Sequence, residues 1–591
     1  MEVMNSLFPL PMRAISRAIY GLNRNWDILP PSPIMQLSDE ELALIFAEFV
    51  HGNHKLPIPD PLAAVILSHV CSWWRAVALS KSSLWASISD LPHSAVNQYL
   101  FRSGGSPLRL RFEFTPLHAM SISTALSVIE RTHRCKELHW IDESPGCVLN
   151  VSAFTQMARF PVLEVLELAS QTVVSPGRSS AHQSHETVLY PALRDLTLCQ
   201  IHPAVLRPGP KPQLRKLTLK DLPTVVGFRV SHLLSMLEEC PHLESLELSC
   251  ATPAIDVHPF EGSRSRSSRP LPLPFAWRPI LPIKKLILDC APTMDLWRIF
   301  TLLNMPALES LAHLASAVPQ VQRWPHLFND DYSDECPDTP IEVPQLEKLN
   351  MDYDIIDPSK PLTQLAHLTF PNLKELHISY AHRAWDRDED PDGVWFARVA
   401  FPPPPDQPRL FPQETFANLR RLALAHVRID VPRMCAVLAH SARALELLSL
   451  GNCLGAGPLV CALGSPKPYH VCLHGHAHPL PPSEEGRTPE WLGLGLRFLV
   501  LVDCADVRID CLRKVIESRA AAAQGVHDVA PGASWSSSRF EEHEAVQGWT
   551  PCRIETIFME RCAMVTEAGV KMLRSLADAP EFRFKDGRRY A

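Results

Sequence analysis

A hydrophobic motif of the form Leu-x-x-Leu-x-Leu recurs along the chain beyond residue 100. Its last two apolar residues mostly alternate with polar ones, as they do in a half-buried strand. With conservative exchanges, eleven copies begin at Leu163, Leu193, Leu214, Leu243, Ile283, Leu346, Leu373, Leu419, Leu445, Leu496 and Ile554. One such motif occurs in any amphipathic helix, but eleven predict a stack of short parallel strands that bury one shared apolar face, as in a leucine-rich repeat array.

Two weaker copies extend this pattern. A degenerate copy begins at Leu308, and Cys135, Leu138 and Trp140 form a possible entry cap. The copies start 21 to 63 residues apart, whereas leucine-rich repeats take roughly 20 to 29 residues. We therefore expect polar or proline-rich insertions that loop away from the strands, at 261–274, 330–340, 385–408, 464–489 and 520–538.

Proline is abundant, with 56 Pro against 23 Gly, and part of it is in phase with the repeat. The following prolines each stand two residues before the first apolar position of a copy: Pro161, Pro191, Pro212, Pro241, Pro306, Pro344 and Pro371. Proline cannot continue a helix and biases the preceding residue toward extended geometry. We therefore expect each of these prolines to end the connecting segment just before a strand.

Residues 34–90 have a different hydrophobic period, which predicts compact helices. Asp39, Glu40 and Glu41 favour a helix N-terminus, because carboxylates stabilise the positive end of the helix dipole. Apolar residues then recur at three- and four-residue steps, at Leu42, Ile45, Phe46 and Phe49. A second helical stretch is predicted over 62–79. The small core of this region is expected to contain Trp73, Trp74 and Trp85.

This helical region resembles an F-box, and its form is especially similar to the F-box proteins of mushroom-forming fungi. Its start reads Leu37-Ser38-Asp39-Glu40-Glu41-Leu42, followed by Ile45-Phe46. Its end reads Val70-Cys71-Ser72-Trp73-Trp74-Arg75-Ala76-Val77-Ala78, followed by Leu84-Trp85. The resemblance covers about a tenth of the chain. One position departs from the family pattern, because the family usually has proline where this chain has Ser38.

The resemblance implies that these helices dock a Skp-type adaptor protein and, through it, a cullin scaffold. In the F-box family, apolar residues of the domain pack against the C-terminal helices of the adaptor. The matching positions here are Leu37, Leu42, Ile45, Phe46, Val70, Cys71, Trp74, Leu84 and Trp85. The same residue types are also typical of a small helical core, and the sequence alone does not separate the two roles.

The C-terminal copy resembles the cysteine-containing leucine-rich repeat, a variant that is frequent in F-box proteins. Cys562 follows the last apolar residue of its motif by three positions, and Cys453 and Cys504 keep the same offset in their copies. Thr566 is expected to cap a helix that carries Val570 and Leu573 on its inner face.

A candidate substrate surface follows from strand geometry, because the residues that flank the buried leucines point outward, to the concave face of such a repeat array. Candidate substrate-binding residues are Glu375, His377, Phe498, Val500, Val502 and Phe558. The last four are apolar at solvated positions, which often marks a binding patch. The alternative is that the C-terminal tail covers these positions as a cap.

Charge and cysteine content narrow the function classes. Lys and Arg total 57 against 64 Asp and Glu, a net charge of −7, so we expect no nucleic-acid partner. Sixteen Cys in 591 residues are too few for a dense disulfide framework and indicate reduced, buried thiols. No apolar stretch reaches eighteen residues, so we expect no membrane span and a cytoplasmic and/or nuclear location. Residues 12–20 suggest either an organelle-targeting helix or a short amphipathic leader.

Motifs for catalysis are few. The sequence has no Walker-type loop, no Gly-x-Gly-x-x-Gly after a strand, no Gly-x-Ser-x-Gly elbow and no paired Cys-x-x-Cys motifs. Segment 470–478 holds four His and one Cys in nine residues, which is compatible with a transition-metal site. The segment lies within a proline-flanked insertion, so we expect a solvated His-rich loop, with no cofactor, no metal site and no catalytic residue.

The sequence therefore predicts an α/β protein in five parts. These are a leader (1–33), an F-box-like helical domain (34–90), a connector and N-terminal cap (91–150), an irregular leucine-rich repeat solenoid with parallel short strands and long insertions (151–580) and a tail (581–591). We expect a non-catalytic substrate-recognition subunit of a Skp–cullin–F-box ubiquitin ligase, with an unknown protein substrate. Two alternatives stay open: a non-ligase repeat scaffold with a divergent F-box, and a metal-binding enzyme that uses the His-rich loop.

Overall fold

The computed structural model divides into two compact units, Met1–Trp140 and Ile141–Ala591. It describes the residues 33–51, 62–89, 91–114, 130–142, 160–174, 190–203, 211–222, 230–249, 280–289, 300, 303–314, 341–354, 368–381, 418–427, 429, 431, 434–435, 438, 444–464, 469–471, 477–479, 491–523, 551–576 and 579–585. The predicted leader and most of the predicted insertions lie outside these residues.

The first unit is a helical cluster followed by short strands. Its helices are α1 (Asp39–His51), α2 (Ala63–Ser68), α3 (Ser72–Ser80) and α4 (His93–Arg102), with 3₁₀ turns at Pro33–Gln36, Ser82–Trp85 and Thr132–Arg134. Its strands are β1 (Ser87–Ile88), β2 (Leu108–Phe114) and most of β3 (Cys135–Asp142), and β1 pairs with β2 in parallel.

Helix α1 begins at a capping box. The Ser38 amide donates a hydrogen bond to Glu41 Oε2 (2.8 Å), and the Glu41 amide donates to Ser38 Oγ (3.2 Å). These two bonds satisfy amides that a helix start otherwise leaves unpaired. The backbone and side-chain bonds from Ser38 hold the pKa of Glu41 below its ordinary value. Ser38 and Glu41 therefore start the helix through their reciprocal hydrogen bonds.

The helical stretch predicted over 62–79 is wrong in one respect, because the structure divides it into α2 and α3. Cys71 has extended backbone (φ −154°, ψ 173°), and its Sγ accepts a hydrogen bond from the Trp74 amide, which makes it the N-cap of α3. The Trp73 indole N–H donates to Asp39 Oδ1 (2.7 Å), so α3 is tied to the first turn of α1.

The core of the first unit contains large side chains, but of the three tryptophans predicted for it only Trp85 is buried, whereas Trp73 and Trp74 are partly exposed. Leu42, Phe46 and Trp85 are fully buried. The ring of Phe46 lies 4.9 Å from that of Trp74, and the Trp85 indole N–H donates to the Ala78 carbonyl (2.8 Å). Helix α1 thereby packs on α3 and on the turn that follows it.

Besides the three strands β1 to β3, the main parallel sheet has thirteen strands in the second unit. Those of the second unit are β4 (Val165–Val174), β5 (Asp195–Ile201), β6 (Lys216–Lys220), β7 (Ser245–Ser249), β8 (Lys285–Asp289), β9 (Ser310–Leu314), β11 (Lys348–Asp354), β13 (Glu375–Ala381), β14 (Arg421–Ala425), β15 (Leu447–Gly451), β18 (Phe498–Val502), β19 (Thr556–Glu560) and β20 (Glu581–Lys585). Two small separate sheets pair β10 (Ile341–Glu342) with β12 (Leu368–Thr369), and β16 (Tyr469–Val471) with β17 (Ala477–Pro479).

Each predicted motif forms a strand, including the degenerate copy at Leu308 and the copy at Cys135. In the second unit the thirteen strands lie side by side in chain order. The register aligns motif with motif, as in Leu217 beside Leu246 and Leu246 beside Leu286. The prediction of an α/β fold with a repetitive parallel-strand sheet is confirmed, and this sheet is compatible with a solenoid. We call it the repeat sheet.

The phased prolines lie in tight turns. In the seven repeats with these prolines the amide of the first motif leucine donates to the carbonyl three residues earlier, as Leu193 does to Tyr190 (3.2 Å) and Leu373 to Phe370 (3.2 Å). Proline occupies the second position of each turn, where its fixed φ is favourable. These prolines therefore close a turn immediately before each strand.

A second turn recurs at the other end of the strands. The six described non-glycine residues with positive φ each follow the strand positions of a repeat: Gln200, Asp221, His426, Asn452, Asp503 and Arg561. The amides of five of them donate to a carbonyl of the next repeat, as His426 does to Gly451 (2.7 Å) and Asn452 to Val502 (2.6 Å). The left-handed conformation costs about 1 kcal/mol per residue, and the regular hydrogen bond to the neighbouring repeat offsets that cost.

The described helices of the second unit are α5 (Val230–Glu238), α6 (Ala456–Leu463), α7 (Ile509–Ala523) and α8 (Glu567–Arg574). Thr566 caps α8 as predicted, since its hydroxyl accepts from the Gly569 amide (3.2 Å) and Val570 and Leu573 are buried. Helix α7 runs to Ala523, so the insertion predicted from residue 520 begins later than expected. No described helix combines the length and the apolar character needed to cross a membrane.

The cysteines of the last repeats are buried, free thiols, as predicted. The thiols of Cys453, Cys504 and Cys562 donate to carbonyls of the preceding repeat, at 3.4, 3.3 and 3.6 Å. Burial raises the pKa of Cys453 to about 11 and of Cys504 to about 12, so both stay protonated donors at neutral pH. The expectation of reduced thiols fails at one pair, because Cys461 on α6 and Cys511 on α7 form a disulfide.

Arg519 is a buried cation on α7 that the sequence did not suggest. Its guanidinium donates to the carbonyls of Leu492 (3.0 Å), Gly493 (2.8 Å), Leu494 (3.3 Å) and Cys552 (3.1 Å). Burial lowers its pKa to about 10, so the group remains charged at neutral pH. One side chain thereby joins the two segments that lead into β18 and β19.

We expect Arg519→Met to lower the free energy of unfolding of the second unit by about 2–4 kcal/mol. The carbonyls of Leu492 and Cys552 lose the Arg519 donor, and those of Gly493 and Leu494 keep only the amides of Leu496 and Cys552. Arg513→Met on the exposed side of α7 is the matched control. It removes only a surface ion pair with Glu517 (3.1 Å), which is worth under about 1 kcal/mol. Thermal and urea unfolding measure both variants, and equal small effects would contradict the assigned role of Arg519.

Candidate protein-binding surfaces

Exposed apolar side chains are concentrated in the helices of the first unit. Of the twelve large apolar side chains exposed among the described residues, eight lie between residues 35 and 101. Scattered exposed apolar residues are common in soluble proteins, but a concentration of them marks an interaction surface. We give the name exposed helix set to Leu44, Ile45 and Phe49 of α1, Ile66 of α2 and Val70, which follows α2.

Helix α1 is apolar on more than its core side. Leu42, Phe46 and Val50 recur every four residues and are buried. Ile45 and Phe49 form a second row with the same spacing, but they are 48% and 57% exposed. A helix that is apolar over most of its circumference needs cover on several sides. Within the described residues, α1 receives that cover on one side only.

The structure divides the nine predicted adaptor-binding residues into three groups. Leu42, Phe46, Leu84 and Trp85 lie in the core with 1% exposure or less. Leu37 and Trp74 are partly buried, whereas Ile45, Val70 and Cys71 are exposed. Only the exposed and partly buried members are accessible to a partner, and the core members can act only by holding α1 and α3 in place.

Three members of the exposed helix set, Leu44, Phe49 and Ile66, were not among the predicted binding residues. They are 71%, 57% and 46% exposed. The sequence of α1 did indicate additional exposed apolar residues, because a core-facing helix requires a single apolar stripe and α1 has more apolar residues than one stripe contains. The missing information was the orientation of α1, which depends on its contacts with α3.

The repeat sheet presents a second surface, formed by the outward positions of its strands. Phe498, Val500 and Val502 occupy all three outward positions of β18 and are partly buried. Phe558 of β19 is the register partner of Val500. The structure therefore brings the four predicted apolar substrate-binding residues together on neighbouring strands.

The two polar substrate-binding candidates lie elsewhere on the same sheet. Glu375 and His377 belong to β13, which is separated from β18 by β14 and β15, a distance of about 14 Å at the usual strand spacing. Glu375 forms ion pairs with Lys348 and Arg421, both at 3.3 Å. Its charge is therefore engaged by the neighbouring strands.

The described part of the C-terminal tail extends the repeat sheet. Residues of β20 pair with β19 in parallel, as Arg583 does with Phe558. Phe582 is buried at this edge. Strand β20 therefore continues the sheet beside β19 instead of lying across β18, and the sheet runs five residues beyond position 580.

A polar cluster is formed by Asp352 of β11, His377 and Ser379 of β13, and His426, which follows β14. Burial raises the pKa of Asp352, while a hydrogen bond from Ser379 and the nearby imidazoles of His377 and His426 oppose that rise. Burial lowers the pKa of His377 and brings that of His313 to about 4, so both rings are neutral at pH 7. Among the described residues, no three His, Cys, Asp or Glu side chains are placed to hold a metal ion.

The His-rich segment forms part of a two-stranded antiparallel sheet. His470 of β16 is the register partner of His478 of β17. Cys472, His474 and His476 lie outside the described residues.

Comparison with known proteins identifies no relative: no protein-family model matches the chain, and no curated protein matches its sequence at a significant level.

Proposed function

We propose that this protein is the substrate-recognition subunit of a Skp–cullin–F-box ubiquitin ligase. The observation that carries the proposal is the exposed helix set in a region whose sequence resembles an F-box. Helices α1, α2 and α3 would dock a Skp-type adaptor, and the repeat sheet, in a leucine-rich repeat solenoid, would hold a protein substrate. The protein would act in the cytoplasm or nucleus.

The small size of the helical region supports a docking role. A domain of about 50 residues buries too little apolar surface to be very stable alone, and a partner that binds the folded form stabilises it by mass action. Ile45, Phe49 and Val70 are about half exposed. A partner with an apolar helical surface would remove these side chains from water.

Ser38 does not weaken this proposal. The proline usual in the family at this position would favour the first turn of a helix through its fixed φ. Ser38 and Glu41 start α1 through their reciprocal hydrogen bonds instead. The helix that carries Ile45 and Phe49 is therefore present despite the substitution.

The repeat sheet is suited to holding a protein rather than transforming it. Its outward positions form a continuous surface over thirteen strands, and its core positions are filled by leucines. Such a surface would contribute to ubiquitination by holding a substrate near the ubiquitin-conjugating enzyme. Its contribution would be the proximity and orientation of the substrate.

The double variant Ile45→Glu/Val70→Glu tests the docking surface. Both residues are exposed, so the variant should keep its helical circular dichroism and melting temperature. Two carboxylates against an apolar partner should weaken binding of purified Skp-type adaptor at least about tenfold, because each charge is desolvated without a counterion. Titration calorimetry with the full chain measures the affinity.

Met564→Glu is the matched control, since Met564 is similarly exposed (52%) but belongs to the second unit. It should bind the adaptor as the wild type does. If the wild type fails to bind, the non-ligase scaffold becomes the better account. Equal affinity of the wild type and the double variant would contradict docking through these helices.

The metal-enzyme alternative has its own test. We expect purified full-length protein to contain no stoichiometric zinc, copper or nickel by plasma mass spectrometry. One equivalent of metal that disappears in His470→Ala/His478→Ala would contradict this expectation and favour the alternative.

A further inference from the structure

Two adjacent strands of the repeat sheet carry only small side chains at two outward levels. These positions are Ala423 and Ala425 on β14, and Ser449 and Gly451 on β15. The register places Ala423 beside Ser449 and Ala425 beside Gly451. Outward side chains stand roughly perpendicular to a sheet, so this block of four is lower than its surroundings by most of a side chain. We call it the small-residue trough.

Larger side chains border the trough at both levels on its C-terminal side and at one level on its N-terminal side. Toward the C-terminus, Val500 and Val502 of β18 are the register partners of Ser449 and Gly451, and Phe558 stands one strand further. Toward the N-terminus, His377 and Ser379 of β13 are the partners of Ala423 and Ala425. Because Ser379 is as small as Ser449, the trough has an apolar wall at both levels and, on the other side, a polar wall formed by His377 at one level.

The trough and its apolar wall carry no charge. None of the outward residues of β15 and β18 is ionisable. Asp352 of β11 lies two strands from Ala425 in the register, beyond Ser379, and two other neighbouring pairs of charges are joined to each other. Arg421 pairs with Glu375 (3.3 Å), and Glu560 pairs with Lys585 (3.2 Å). At the end of the trough, His426 and Asn452 are hydrogen-bonded to each other (3.0 Å).

These features select the kind of group that fits. A charged side chain in the trough would lose hydration, and neither β15 nor β18 carries a charged side chain that could serve as its counterion. An apolar side chain would contact the methyl groups of Ala423 and Ala425 and the side chains of Val500 and Val502, and would remove all of them from water. Discrimination against charge is thus built into the surface.

We infer that the small-residue trough is a subsite for one uncharged, apolar anchor side chain, of leucine to phenylalanine size, in an extended segment of a partner protein. This inference rests on the proposed function in so far as that partner would be the ubiquitination substrate. The anchor lies against Val500 and Val502, and the flanking residues of the segment are uncharged where they cross β15 and β18.

The dimensions favour a peptide segment over a second copy of the chain. Two strands and two outward levels span roughly 10 Å by 10 Å, on the order of 100 Å². Each partner in a stable dimer buries about 800 Å². The trough is therefore the size of a single side-chain pocket.

The chain allows the trough to be filled without disturbing the strands. A Cβ placed on Gly451 would lie 3.5 Å from Ala425 Cβ, an ordinary contact distance. Ala423 already has a Cβ that points outward. Ala423→Trp and Gly451→Trp should therefore occupy the space meant for the anchor while the repeat sheet stays folded.

Ala312→Trp is the matched control. Ala312 is the middle outward residue of β9, as Ala423 is of β14, and both are partly buried. Its register neighbours are Ile287 and Asn350. Strand β9 lies three strands from β14 in the sheet order, with β11 and β13 between them. A tryptophan there alters the same kind of position outside the trough.

The experiment selects a displayed library of random twelve-residue peptides on the intact, full-length chain. We expect enriched peptides to share one apolar anchor with uncharged neighbours. Synthetic copies should bind Ala423→Trp and Gly451→Trp at least tenfold more weakly than the wild type in fluorescence anisotropy, and Ala312→Trp within twofold. An empty selection, a charged consensus, or equal effects of Ala423→Trp and Ala312→Trp would overturn the inference.

Two further readouts separate the possible failures. Ala423→Trp should still bind the Skp-type adaptor, and Ile45→Glu/Val70→Glu should still bind the peptides, so failure of the proposed function leaves the trough testable by itself. Light scattering tests the other possible occupant of the trough, a second copy of the chain. A wild-type dimer that Ala423→Trp dissociates would assign the trough to a second copy and overturn the inference.

Discussion

The second unit depends on one constraint: each strand of the repeat sheet must bury its motif residues against those of the next strand. A single repeat cannot bury this face by itself, so stability comes from stacking. The parallel register that aligns Leu217 with Leu246 and Leu246 with Leu286 also decides which residues face outward. The proline turns before the strands and the left-handed residues after them maintain this register through hydrogen bonds within and between repeats.

The same constraint explains where a partner can bind. Because the leucines are committed to the core, the outward positions are free to vary, and they do so from charged rows near β6 to the uncharged trough on β14 and β15. The first unit differs, because its described helices leave apolar residues uncovered. Ile45 and Phe49 are exposed next to the buried row of Leu42 and Phe46.

The repetitive part of the fold could be predicted because its signal is local and repeated. Every motif became a strand, and Thr566 caps α8 as its sequence context indicated. Features that depend on a single tertiary contact could not be predicted. Arg519 gives no sign in the sequence that its partners are four carbonyls from two distant segments. Cys71 divides a helical stretch because its thiol caps α3, a role that hydrophobic period does not reveal.

The candidate surfaces were predicted in composition but not in arrangement. The sequence identified Phe498, Val500, Val502 and Phe558, yet the trough beside them is made of alanine, serine and glycine, which no pattern of large residues marks.

The central claim is that α1, α2 and α3 form the adaptor-docking surface. Hydrogen–deuterium exchange of the full chain with and without Skp-type adaptor tests this claim most directly. The account predicts slower exchange in residues 39–51 and 63–80 on adaptor binding and no change in the repeat sheet. Protection confined to the repeat sheet, or no protection in these helices at saturating adaptor, would contradict it.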